Sequence, residues 1–306
     1  MSEKMFTGSI TALITPFSGE GIDWASFEKL VEWQIESGTN GLVPCGTTGE
    51  SPTLTHEEHN RIVERCIAMT KGRVPVIAGT GSNSTREAIA LTQHAQKAGA
   101  DGALVVTPYY NKPSQDGLYA HYKALHDATD IPIIIYNIPG RSVIDMSIDT
   151  MCRLAELPRI AGVKDATADL ARPLNLKNRL GDSFCQLSGE DATATGFLAQ
   201  GGHGCISVTS NIAPKLCADM HRAWQGGNIA EMVRIRDLLA PLHKALFCET
   251  SPAPVKYGAS RLGIGNDAVR LPLVPATKAA REAVDAAMAF AGLISGSQTA
   301  TLRAHG

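Results

Sequence analysis

Eight short apolar, β-rich runs recur along the chain with helix-patterned stretches between them, and this alternation constrains the fold more than any other feature. The runs are Ser9 to Thr15, Gly41 to Cys45, Val74 to Ala78, Gly102 to Thr107, Pro132 to Asn137, Ile160 to Lys164, Phe184 to Ser188 and Cys205 to Thr209. Most are continuously apolar, as parallel strands covered on both faces are. Helical patterns fill the gaps at Trp24 to Ser37, His56 to Thr70, Thr85 to Ala98, Gln115 to Ala128 and Asp191 to Ala199. Start signals accompany them: Thr55 with Glu58 matches a capping box, and Asn83, Ser84 and Thr85 offer cap oxygens before Arg86 and Glu87. Strand then helix, repeated in this way, predicts an α/β protein built as a (β/α)8 TIM barrel. A doubly wound sheet is the alternative, because the pattern does not fix the order of strands in space.

Beyond the eighth run, helical patterns continue at Pro214 to Gln225, Ile229 to Phe247, Pro254 to Leu262 and Ala276 to Leu293. The first can close the barrel and the others exceed what that fold needs. The expected organisation is a catalytic barrel over residues 1–225 and a C-terminal helical extension over 226–306. The last stretch, Ser295 to Gly306, is small and polar and is expected to fray.

With 306 residues, 44% of them apolar and 19% charged, the chain is long enough to bury a large core. A formal net charge of -2 leaves no basic stripe for nucleic acid and no polybasic segment for a membrane surface. Met1 to Gly8 lacks the apolar run of a signal peptide, and no segment approaches the length of a membrane span. Seven cysteines are scattered with no Cys-x-x-Cys pair. That distribution fits reduced thiols in a cytoplasmic protein better than a disulfide framework or a zinc site.

Barrel enzymes place their active sites at the C-terminal ends of the strands, so the residues there are the candidates. The sixth run ends on Lys164, within Gly162-Val163-Lys164-Asp165-Ala166-Thr167. Desolvation disfavours the charged form of an amine, and a neutral buried amine is the nucleophile of Schiff-base chemistry with carbonyl substrates. The plainer alternative is a strand-end lysine that reaches water or pairs with Asp165. The second run leads into Gly46-Thr47-Thr48-Gly49-Glu50-Ser51, whose glycines permit a tight turn that exposes amides and hydroxyls to a small carboxylate. Its spacing is not that of a phosphate-binding P-loop. The fourth run leads into Thr107-Pro108-Tyr109-Tyr110-Asn111-Lys112-Pro113 and the fifth into Tyr136-Asn137-Ile138-Pro139-Gly140-Arg141. The tyrosines also fit as packing aromatics and Arg141 as a surface charge, although a guanidinium offers bidentate binding of a carboxylate.

Taken together, these four segments resemble the pyruvate-dependent class I aldolases of the N-acetylneuraminate lyase family, and within it the dihydrodipicolinate synthase branch, from about Met5 to about Leu293. The resemblance implies that Lys164 forms a Schiff base with pyruvate, which then adds as an enamine to L-aspartate 4-semialdehyde, with no cofactor. It implies a general acid/base role for Tyr136, with Thr47 and Tyr110 as relay partners. Tyrosine, with a reference pKa of about 10, is a poor base unless its proton passes along such a chain. Thr48 and Gly189 match pyruvate-carboxylate and barrel-floor contacts, and Ile206 matches a position whose carbonyl faces the site. Arg141 matches the residue that binds the aldehyde's carboxylate, with Ser142 standing where threonine is common.

The same resemblance places Tyr110 in a neighbouring subunit's site, implying a homotetramer built as a dimer of dimers. Ser51, His56, His59, Asn83, Glu87 and Tyr109 match the positions at which L-lysine binds as feedback inhibitor of the first committed step of diaminopimelate and lysine biosynthesis. The plainer reading of His56-Glu57-Glu58-His59 is a solvated first turn, where acids suit the helix dipole. It is not the His-Glu-x-x-His signature, and no metal is expected. Three other functions compete: a family lyase that cleaves a sugar-derived 2-keto acid, a metabolite sensor that has lost the chemistry, and a metal-dependent barrel enzyme.

Overall fold

Backbone pairing joins the eight expected runs into one parallel sheet that curls onto itself. The computed structural model describes residues 6–295, and the barrel strands are β1 (Gly8–Ala12), β2 (Gly41–Val43), β3 (Ile77–Gly79), β4 (Gly102–Val106), β5 (Ile133–Asn137), β6 (Ile160–Asp165), β7 (Cys185–Ser188) and β8 (Gly204–Ser207). Their order is β2-β1-β8-β7-β6-β5-β4-β3, with every neighbouring pair parallel. The remaining seam is spanned by a parallel bridge between Leu42 and Val76. Two bonds support it, Leu42 N–H donating to the Pro75 carbonyl at 3.0 Å and Gly79 N–H to the Pro44 carbonyl at 2.9 Å. This order is that of a barrel rather than a doubly wound sheet, in which the first strand lies inside with the chain reversing around it.

The period of two along each strand sorts residues between two cores. Ile10, Ala12, Val43, Ile77, Leu104, Ile134, Tyr136, Leu187 and Ile206 pack with one another in the barrel interior. Ala103, Val105, Ile133, Ile135 and Val163 face the opposite way, against the helices. Gly162 lies where strands approach closely, since a Cβ there would meet the Cys185 carbonyl oxygen at 2.2 Å.

The helices between strands follow the sequence closely. His56–Thr70, Thr85–Ala98 and Gln115–Ala128 begin and end as the pattern predicts, and the Thr55–Glu58 capping box is formed in both directions. At the next helix Ser84 occupies the cap position without a side-chain cap bond; its own N–H donates instead to Ser82 Oγ at 3.0 Å. Besides the single turn Pro139–Ser142, two helices escape the sequence pattern, Ile148–Ala155 and Ala171–Leu180. The first is only two turns long, and the second carries Pro173 and buries Arg172, so neither shows a long apolar stripe.

After the barrel come Pro214–Gln225, Ile229–Ala245, Ala253–Arg261 and Lys278–Phe290. The expected boundary between barrel and extension falls in the turn at Gly226 and Gly227, between the first two of these helices. Leu239, Leu242, Val255 and Val284 of the later helices share a continuous core with Leu13, Phe27 and Ile62 of the barrel. Met1 to Met5 and residues 296–306, including almost all of the tail expected to fray, lie outside the described residues.

Candidate active site

Lys164 and Tyr136 are Cα partners across β5 and β6, and both side chains point into the barrel near its C-terminal rim. Each is about 5% exposed, and Lys164 Nζ lies 4.0 Å from the centroid of the Tyr136 ring. Asp165, next along the strand, turns to the opposite face. Its carboxylate accepts from Arg172 Nε at 2.9 Å and from the Thr167 N–H at 2.9 Å and hydroxyl at 2.6 Å. The expected competitor, a Lys164–Asp165 pair, is therefore not formed, and among the described residues no carboxylate lies in ion-pair contact with Lys164.

The floor beside the lysine is kept clear. A Cβ at Gly189 would stand 3.1 Å from Lys164 Cε and 2.8 Å from Ala166 Cβ, while the Gly189 N–H donates to the Asp165 carbonyl at 2.7 Å. Ile206 lies on β8 in the same interior core. Glu190 follows Gly189; burial and then the neighbouring Asp191 push its carboxyl pKa up, while the positive charge of Lys164 acts the other way.

The glycine loop follows β2. Thr47 lines a cavity and Thr48 is buried. Gly49 N–H donates to the Gly46 carbonyl and Glu50 N–H to the Thr47 carbonyl, both at 3.1 Å. Glu50 is itself buried and left-handed, at φ 56.

Arg141 sits on the single helical turn Pro139–Ser142, exposed on the rim, with Nη2 donating to the Ser251 carbonyl at 3.3 Å. The Ser142 hydroxyl lies 2.9 Å from the Ile138 carbonyl and 3.0 Å from that of Ile144, which ties the turn to its base. Tyr110 stands apart: it is 87% exposed and held at φ 70, a conformation that costs a bulky residue energy.

A cavity of about 380 Å³ is lined by Thr47 and Arg141 together with Ser51, His56, His59, Glu87 and Tyr109 of the second cluster, while Lys164 and Tyr136 are not in its lining. His56 Nε2 meets Glu87 Oε1 at 2.8 Å, and the other Glu87 oxygen takes the Ser82 hydroxyl. Those two bonds, Ser82 first, lower the Glu87 pKa. His59 Nε2 donates to the Gly79 carbonyl at 2.8 Å, leaving its buried Nδ1 without a partner, and burial lowers its pKa. Burial raises the pKa of Tyr109. Asn83 contributes its carbonyl to Asn111 Nδ2 at 2.9 Å and does not line the cavity. The sequence pattern did not single out Lys256 or Arg270. Both meet Glu50 from the C-terminal extension, more than two hundred residues along the chain.

Among the described residues, no three His, Cys, Asp or Glu side chains cluster as metal ligands, and no helix is long and apolar enough to cross a membrane. The Dihydrodipicolinate synthetase family model matches residues 5–291. A 4-hydroxy-tetrahydrodipicolinate synthase of Rhodospirillum centenum is 67% identical over 95% of this chain and 100% of its own length. The dihydrodipicolinate synthase of Acinetobacter baumannii, solved in complex with pyruvate, superposes with a TM-score of 0.92 at 47% identity, over 94% of this chain and 100% of that one. A dihydrodipicolinate synthase of Cyanidioschyzon merolae solved with lysine bound gives 0.91 at 39% identity, over 95% and 100%. The chain belongs to the dihydrodipicolinate synthetase family, enzymes of the class I aldolase type.

Proposed function

We propose that this chain condenses pyruvate with L-aspartate 4-semialdehyde to give 4-hydroxy-tetrahydrodipicolinate and water. The observation that carries the reading is the Lys164 amine, buried against the Tyr136 ring, without a carboxylate in contact and beside a floor glycine. Lys164 Nζ attacks C2 of pyruvate to form a carbinolamine, which loses water to give the imine. A proton leaves C3, and the resulting enamine carbon attacks the aldehyde carbon while the aldehyde oxygen gains a proton. The substrate's own amine then displaces Lys164 from C2, closing the ring and restoring the free lysine.

Tyr136 is the group placed to carry these protons, with Thr47 and Tyr110 as its relay. Thr48 and the amides of its loop receive the pyruvate carboxylate, Gly189 leaves room for it, and the Ile206 carbonyl faces the reacting carbons. Arg141 receives the aldehyde's carboxylate, a task its planar fork suits. No cofactor enters these steps, because the imine nitrogen itself serves as the electron sink. A lyase for a sugar-derived 2-keto acid shares the lysine and tyrosine but has no use for an arginine at this turn.

Tyr110 completes the relay of a neighbouring subunit. Its exposure and left-handed backbone support that role, since its own chain gives the ring no burial to offset the strain. The assembly is then a homotetramer of two tight dimers, working in the cytoplasm as the first committed step toward diaminopimelate and lysine. L-lysine inhibits it from the cluster of Ser51, His56, His59, Asn83, Glu87 and Tyr109, where Glu87 attracts an ammonium group. The test is a coupled assay with aspartate semialdehyde against a panel of 2-keto acids, with and without lysine. Turnover of the panel instead of the semialdehyde sinks the substrate assignment, and insensitivity to lysine sinks the regulatory one.

A further inference from the structure

The loop that carries Thr47 and Thr48 ends on a buried carboxylate whose partners come from the far end of the chain. Glu50 Oε1 accepts from Lys256 Nζ at 2.6 Å, and Oε2 accepts from the Arg270 backbone N–H at 2.9 Å. Both charged side chains of the Glu50–Lys256 pair are fully buried. The pair is enclosed by Phe17, with Lys256 Nζ 4.0 Å and the Arg270 guanidinium 4.3 Å from the ring centroid. Arg270 is anchored in turn by both carboxylate oxygens of Glu58, at 2.6 and 2.7 Å, and by the Thr53 carbonyl at 3.0 Å.

Everything about the loop's own backbone makes this clasp matter to its shape. Glu50 holds the left-handed conformation that a non-glycine residue avoids unless its surroundings fix it. Its N–H donates to the Thr47 carbonyl, so a shift at residue 50 reaches the threonine pair directly. The Gly49 carbonyl accepts from the Thr15 hydroxyl at 2.8 Å, and a Cβ at Gly49 would stand 3.1 Å from the Leu13 carbonyl oxygen, so the loop cannot slide as a unit. A buried ion pair contributes little net stability over an apolar replacement of like size; what it supplies is a fixed geometry.

We infer that Glu50 and Lys256 are positioning residues for pyruvate: the C-terminal extension clasps Glu50 and thereby holds Thr48 and the amides of its loop at the geometry that receives the keto acid's carboxylate. The inference rests on the reading of this loop as the pyruvate site. It assigns the extension a part in substrate affinity as well as in the core, through two residues that touch no substrate.

The test compares wild type with Glu50→Gln, Glu50→Asp and the double variant Glu50→Gln/Lys256→Met, which removes both charges at nearly constant volume. Initial rates are measured over pyruvate and aldehyde concentrations, with borohydride trapping of pyruvate and thermal melts in parallel. The double variant is expected to fold with a near-native melt, raise KM for pyruvate about tenfold, change kcat much less and still trap pyruvate at saturation. Glu50→Asp, which keeps the charge on a shorter arm, falls between it and wild type. Folded variants with an unchanged KM for pyruvate overturn the inference, whatever their melting points. If the double variant fails to fold, Glu50→Gln alone decides by the same criterion. Wild type that traps no pyruvate removes the functional reading, and this inference with it, whereas trapping with unchanged KM removes the inference alone.

Discussion

Lys164 and Lys256 are both withdrawn from water, and each places its Nζ 4.0 Å from the centroid of an aromatic ring, Tyr136 in one case and Phe17 in the other. They differ in what else they meet. Lys256 is 2.6 Å from the buried Glu50 carboxylate, whereas the acid adjoining Lys164, Asp165, is engaged by Arg172 and Thr167 on the other face of the strand. Burial lowers the pKa of Lys256, and the charge and hydrogen bond of Glu50 work against that shift. Among the described residues Lys164 has no carboxylate in ion-pair contact. Burial and an aromatic neighbour are common to both lysines, and the counter-charge is what distinguishes Lys256 from the proposed nucleophile Lys164.

Replacement of each lysine separates the two roles. Lys164→Ala is expected to lower kcat by about 10³-fold or more and to abolish the borohydride adduct, whereas Lys256→Met retains the adduct at saturating pyruvate. Stability should show the reverse order. Lys256→Ala strands the Glu50 charge and is expected to cost about 3–5 kcal/mol in urea unfolding, against less than about 1 kcal/mol for Lys164→Ala. Equal losses for the two would erase the contrast between them.

Smaller effects sharpen the division between rim and clasp. Arg141→Ala is expected to leave trapping intact while raising KM for the aldehyde about tenfold or more; equal loss of both steps would undo its assignment. In the second cluster, His59→Ala should weaken lysine inhibition about tenfold with little change in uninhibited kcat, read from lysine titrations. The smallest effect concerns the acid edge of the clasp. Bonds from Arg270 hold the Glu58 pKa down, from 4.5 to about 2. A depressed carboxylate stabilises the fold above its unfolded pKa, and that contribution disappears as pH falls from about 4.5 through about 2. Because Glu58 is partly open to solvent, the contribution is expected to stay near or below ~1 kcal/mol, and acid unfolding of Glu58→Gln should be shallower over that window.

The barrel was legible in the sequence because its evidence is local. Eight apolar runs with polar, cap-bearing stretches between them leave few arrangements, and the His56–Thr70 helix with its capping box follows from residues within one turn. The rim was legible for a related reason: Tyr136 and Lys164 lie at the C-terminal ends of their strands and Thr47 and Arg141 follow theirs within four residues, so the topology collects them without knowledge of any side-chain contact. The clasp was not legible. Glu50 and Lys256 are 206 residues apart, and each alone resembles an ordinary surface charge until the fold buries both. The same holds for the short hairpin of Phe17–Ser18 and Gly21–Ile22, whose Phe17 ring gains its meaning only from the two cations above it.

The central claim is that Lys164, and no other buried lysine, carries the covalent step. Its most direct test is borohydride reduction in the presence of pyruvate followed by peptide mass mapping, with and without aspartate semialdehyde. The expected result is a single pyruvate-derived adduct on Lys164, with Lys256 unmodified and the yield falling when the aldehyde is turned over. An adduct on Lys256, or none on folded protein, would contradict the account.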